Sequence, residues 1–165
     1  MGSTPVPMPY LPPGCGRPSM AELGAFWANA RRRLTGADLP DEYRDDDTTR
    51  QVLDLIRAGD KTGTFTLPWI VDHTEQPTPA VGDAIILVDF DGHPHLLVRL
   101  THIEEVPFGR IGTVHTAIDG TPVRDLAVWR PLHTKYWNGL LEPFGLAVSA
   151  DMPVWVEKFE LLYDG

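Results

Sequence analysis

The amino-acid sequence predicts an α+β fold, and two observations carry that expectation. Apolar residues recur at helical intervals early and late in the chain, and the stretch between them, like the C-terminal end, holds β-branched and apolar runs bounded by turn residues. A length of 165 residues suits one domain with its own core.

Residues 1–18 contain six of the sixteen prolines, at positions 5, 7, 9, 12, 13 and 18, and show neither strand nor helix periodicity. They read as an extended or flexible arm, with a single domain over 19–165. Ser19 and Glu22 have capping-box spacing. Met20, Leu23, Phe26, Trp27, Ala30 and Leu34 then mark a helix that ends before Gly36. Asp38 to Asp47 reads as an acidic, solvated connector. Thr48 with Gln51 caps a second helix carrying Val52, Leu53, Leu55 and Ile56, closed by Gly59.

From Thr62 to Thr66 the residues favour a short strand, and Leu67-Pro68-Trp69 breaks it into a loop. Val81-Gly82-Asp83 turns into the apolar run Ala84 to Phe90, and Asp91-Gly92 reverses the chain into a second strand over His95 to Ile103. Val114 to Ile118 reads as a helical turn. Leu126 to Leu141 reads as a helix that Pro131 kinks or restarts. Val154 to Tyr163 makes a final strand.

Composition narrows the function. The net charge of −9 opposes wrapping of duplex nucleic acid, which needs many Lys/Arg contacts to phosphate. Cys15 is the only cysteine, so no disulfide framework or Cys-built zinc site is available, and no cofactor is expected. The longest apolar run, Ala84 to Val88, is far short of a membrane span, and a cytoplasmic protein is expected. Neither a Gly-x-Ser-x-Gly elbow nor a His-Glu-x-x-His helix is present. His93 and His95 share a strand face at a hairpin rim, a spacing that suits a metal pair but more simply a solvated turn.

The most chemically suggestive segment is Gly59-Asp60-Lys61-Thr62-Gly63-Thr64, at a helix-to-strand junction. Side chains alternate along a regular strand, so Lys61 and Thr64 reach one site only through an irregular backbone, which Gly59 and Gly63 permit. A hydroxyl is a weak nucleophile until a base takes its proton. A desolvated Lys can be that base, whereas Arg stays protonated. Only three of the fourteen basic residues are Lys. The plainer reading is a Lys favoured by the helix end and a strand Thr.

In these features the sequence resembles the ASCH domain family. The matching residues are the Gly59-x-Lys61-x-x-Thr64 motif, Trp27 with Arg31, Val81-Gly82-Asp83, Asp119-Gly120, Trp129-Arg130 followed by His133, and Val156-Glu157-Lys158-Phe159. The resemblance spans about residues 20 to 163 and implies a small PUA-like β-barrel flanked by helices, with a cleft between them. It implies binding of a modified nucleoside or single-stranded RNA there. By that resemblance Thr64 attacks an acyl carbonyl, Lys61 activates it and Asp119 handles protons, as in amidohydrolase members acting on 4-acetylcytidine. Asp119 stands where relatives commonly carry Glu and is one methylene shorter; Glu104 or Glu105 is an alternative acid, although neighbouring acids leaving a strand are more often exposed. Thr62, Trp69, Arg130 and His133 are the candidate substrate contacts, with Trp69 or Phe65 able to stack on a base. Trp129 and His133, four apart on one helix face, also suit a core pair. A ribonuclease and a non-catalytic RNA-binding module are the other functions the resemblance allows; no membrane partner is expected.

Overall fold

A computed structural model describes residues 19–36 and 39–165. The proline-rich segment 1–18 and Asp38 lie outside the described residues. Helix α1 (Met20–Arg33) begins where the Ser19 hydroxyl accepts a hydrogen bond from the Glu22 N–H at 3.0 Å, and it closes with three arginines in its last turn. Strand β1 (Tyr43–Asp47) follows, then helix α2 (Arg50–Arg57). Its cap is Thr49, whose hydroxyl accepts from the Val52 N–H at 3.1 Å. The expected cap, Thr48, is instead buried, and its N–H donates to the Val88 carbonyl, so the ladder of β1 takes it.

Strand β2 (Gly63–Thr66) leads into helix α3 (Pro68–His73). The expected loop at Pro68-Trp69 is therefore helical, because proline at the first helical position lacks an N–H that would be unpaired there anyway. Strands β3 (Ala84–Val88) and β4 (Pro94–Pro107) form the expected hairpin. After it come α4 (Thr113–Thr116), α5 (Leu126–Leu141) and β5 (Pro153–Asp164). Pro131 starts no new helix: α5 runs through it, and the residue is exposed.

The five strands form one sheet in the order β1-β3-β4-β5-β2. β1 runs parallel to β3, and the other neighbours are antiparallel. Two expectations are corrected here. The acidic stretch before Asp47 is not a connector but the edge strand β1, since its backbone pairs with Ala84 to Val88 while the Asp45 and Asp46 side chains stay exposed. Charged residues at an edge block pairing with another chain, so they suit this position despite low strand propensity. The sheet is also not a closed barrel: β1 and β2 are its two edges and do not pair. Both edges supply side chains to one cavity, and that space takes the place of the missing pairing.

Strand β3 is buried on both faces, which explains its unbroken apolar run. Ala84, Ile86 and Val88 pack against Phe26, Trp27 and Ala30 of α1. Ile85 and Leu87, alternating to the other face, pack against Val52, Leu53 and Ile56 of α2. A third cluster joins α3, α5 and β5 around the fully buried Trp129.

Candidate functional site

The junction before β2 is irregular in the way Lys61 and Thr64 require. Gly59 adopts φ +75° at the end of α2, and the N–H groups of Asp60 and Lys61 both donate to the Leu55 carbonyl, at 2.9 and 3.1 Å. The Thr62 N–H donates to the Ile118 carbonyl at 2.8 Å, and β2 starts only at Gly63. Lys61 thus precedes the strand, free of its period-two alternation, and its side chain lines the same cavity as Thr64. Gly63 is needed for closeness rather than for torsion. A Cβ there would sit 2.2 Å from the Glu157 carbonyl oxygen and 2.6 Å from the Ile118 side chain.

Lys61 is 3% exposed, and its Nζ lies 2.7 Å from Oδ1 of the fully buried Asp119. Burial pulls the Lys61 ammonium down to about 7 and pushes the Asp119 carboxyl well above its usual range. Each group is driven toward its neutral form, and the pair is neutral overall whichever member holds the proton. The Trp129 indole N–H is the influence that favours charge on Asp119, yet it stays outside hydrogen-bond geometry: Trp129 Nε1 and Asp119 Oδ2 both lack a hydrogen-bond partner.

His133 Nδ1 donates to the Trp129 carbonyl at 2.9 Å, since a carbonyl can only accept, so Nε2 carries the lone pair and faces Asp119 Oδ2 at 3.8 Å. Its ring stacks on Trp129 at 4.3 Å, and Phe65 meets both rings edge-on. Burial holds the His133 imidazolium down to about 3, with a smaller push from the Lys61 charge. His133 is therefore neutral, and it lines the cavity together with Phe65.

The cavity has a volume of about 590 Å³ and draws on all five strands as well as α5. Three carboxylates (Asp46, Asp47, Glu157) and two cations (Arg44, Lys61) stand in its wall among Ile85, Leu87, Val98 and other apolar side chains. Asp46 is surrounded by protein on nearly every side, yet its side chain is open to the cavity. Desolvation and the Asp47 charge raise its carboxyl to about 6, against a smaller pull from the Arg44 charge. Glu157 is 2% exposed, and burial raises its carboxyl too, opposed by a hydrogen bond with Thr66 and by the Arg44 charge.

The remaining candidates lie elsewhere. Arg130 donates to the carbonyls of Phe108 and Ile111 at 3.0 and 2.6 Å and covers the Phe108 ring at 5.2 Å, so its guanidinium ties a turn to α5 and takes no part in the cavity wall. Trp69 sits on α3, half-buried against the Trp129 core, and does not line the cavity. Thr62 is exposed, and its N–H and carbonyl join the backbone ladder, the carbonyl accepting from the Phe159 N–H at 3.0 Å. Asp119 does not line the cavity; it stands behind Lys61. Glu104 and Glu105 are exposed, and Glu105 accepts from the Trp155 indole at 3.2 Å. His93 meets Glu22 and His95 meets Asp89. Among the described residues no group of three or more His, Cys, Asp or Glu is arranged to hold a metal ion, and no helix is long and apolar enough to cross a membrane.

Glu157, Arg44, Asp46, Asp47 and Tyr136 also wall the cavity, none of them a site candidate from the sequence alone. A signal for Glu157 was present: with period two it shares a strand face with Trp155 and Phe159, where a third apolar residue would be the simple choice.

Fold and cavity together define a small α+β domain of the PUA-like kind, built around a partly open binding space with apolar and ionisable side chains in its wall. The ASCH domain family model matches residues 41–163, and the chain belongs to the ASCH domain family. It is similar to the ASCH domain from Lactobacillus crispatus at 19% identity, with a TM-score of 0.74 over 87% of this chain and 93% of that one. A protein from Enterococcus faecalis is similar at 22% identity, with a TM-score of 0.74 over 88% and 90% of the two chains. At these identities the likeness is one of fold. No curated protein matches the sequence.

Proposed function

We propose that the chain hydrolyses an acyl amide on a modified nucleoside held in this cavity, with Thr64 as nucleophile and Lys61 as its base. The observation that carries the reading is that Lys61, buried and paired with Asp119 at 2.7 Å, lines the same cavity as Thr64. With the shared proton on Asp119, Lys61 offers a neutral amine to the Thr64 hydroxyl. Desolvation favours that arrangement, and a Lys near 7 is matched to proton transfer at neutral pH. Asp119 thus handles protons through Lys61, and its short side chain is no handicap because it need not reach the substrate.

The cavity wall favours an uncharged ligand over a phosphate chain. Asp46 and Asp47 stand in it against one guanidinium, Arg44, and Lys61 is already matched by Asp119. The volume falls in the range of small-molecule sites, and the apolar side chains suit a planar heterocycle. The test is release of cytidine from 4-acetylcytidine by the purified chain. Turnover by the intact chain, abolished by Lys61→Ala and by Thr64→Ala, is the expected result; no turnover by the intact chain overturns the reading.

A further inference from the structure

We infer that Glu157 is a catalytic acid–base in this site, delivering a proton to the departing amide nitrogen and later taking one from the attacking water. The inference rests on the amide-hydrolase reading and adds to it a residue on the opposite strand from the nucleophile.

Glu157 of β5 is the direct cross-strand partner of Thr64 of β2. Directly opposed residues of an antiparallel pair project to the same face with Cβ atoms about 4.5–5.5 Å apart. The register therefore sets a carboxyl beside the Thr64 hydroxyl, and both side chains line the cavity. On its other side Glu157 opposes Ile103, which offers no polar partner. Glu157 Oε2 has no hydrogen-bond partner, and among the described residues no cation lies within ion-pair distance; the nearby Arg44 pairs with Asp83 instead. A buried carboxyl left half-satisfied costs stability, and an apolar residue between Trp155 and Phe159 would avoid that cost. Asp119 cannot fill the role, being held behind Lys61 and outside the cavity wall.

The groups acting on Glu157 are Thr66 and Arg44, which favour its anion, and Asp46 and Asp83, which oppose it; burial outweighs them, and the carboxyl is raised. In the proposed cycle its neutral acid form comes first. Thr64 Oγ bonds to the acyl carbon while its proton passes to the Lys61 amine. The tetrahedral adduct then breaks its C–N bond as Glu157 protonates the nitrogen, leaving acyl-Thr64 and a Glu157 carboxylate. Water adds to the ester carbonyl, giving its proton to Glu157. The C–O bond to Thr64 breaks as Lys61 returns its proton to Oγ. One amide and one water become one carboxylic acid and one amine.

The test compares two leaving groups on Glu157→Gln. With 4-acetylcytidine, whose nitrogen must be protonated, kcat falls about 10²–10⁴-fold with KM little changed. With 4-nitrophenyl acetate, whose phenolate leaves unaided, the variant releases a burst of one nitrophenolate per chain at the wild-type rate, then turns over slowly as acetyl-Thr64 accumulates, visible by mass spectrometry. Lys61→Ala loses the burst itself. A burst slowed as much as amide turnover, or an unchanged amide kcat, overturns the role of Glu157 while leaving the hydrolase reading intact. Absence of amide turnover by the wild-type chain is the separate result that removes both. If Glu157→Gln fails to fold, the same amide-against-ester comparison on Glu157→Asp decides.

Discussion

His133 is buried against the Trp129 indole, and burial disfavours its charged ring by more than the Nδ1–H bond to the Trp129 carbonyl favours it. The folded chain holds its pKa at about 3 against an ordinary 6.5. Between these values the unfolded chain binds a proton that the folded chain refuses. The stability His133 contributes is therefore complete above about pH 6.5 and is lost as pH falls toward 3. The buried Asp119 carboxyl acts in the opposite sense, since the folded chain keeps its proton to higher pH than the unfolded one. Replacing His133 with Gln isolates the histidine. Urea unfolding at a series of pH values is expected to show wild-type stability falling more steeply than that of the variant between pH 6.5 and 4. Parallel curves would show that the ring is not held neutral by the fold.

At the scale of elements, β2 and β5 leave no room for a side chain at Gly63. Gly63→Ala puts a methyl 2.2 Å from a main-chain oxygen that cannot rotate away, so the two strands must part. A loss of about 3 kcal/mol or more is expected by urea unfolding, because the strain falls on backbone instead of a flexible side chain. Gly24→Ala in α1, with nothing within 4 Å, should instead stabilise by about 0.5–1 kcal/mol through helix propensity. Elements with strong periodicity were legible: α1 from its cap and apolar stripe, the β3-β4 hairpin from Asp91-Gly92, α5 and β5 from their patterns. β1 was not, because Tyr43 to Asp47 is a strand only through its parallel partner 41 residues further on, which no local propensity encodes. The same gap hid half of the site. Lys61, Thr64 and Asp119 came from a local motif and its resemblance, whereas Glu157 and Arg44 join the cavity wall through strand pairing. Arg130 misled because a guanidinium is equally suited to a phosphate and to two carbonyl oxygens, and only the fold shows which it meets.

Across the whole molecule, the sheet is open and its two edges, β1 and β2, both wall the cavity. A ligand there touches the first and last strands of the order at once and supplies contacts that direct β1-β2 pairing would otherwise make. Binding should therefore stabilise the fold globally. Thr64→Ala with 4-acetylcytidine keeps the cavity while blocking turnover. At ligand concentrations about a hundredfold above Kd, linkage gives roughly 2.7 kcal/mol, a melting rise of roughly 5–10 °C for a domain of this size. Hydrogen exchange distinguishes this site from a surface one. Ligand in the cavity slows exchange at Tyr43–Asp47 and Gly63–Thr66 together, because each edge is held through the molecule between them. Protection of one edge alone, or of the outer face of α5 around Arg130 and Lys135, would place the ligand outside the cavity and sever the link between the open sheet and the reaction.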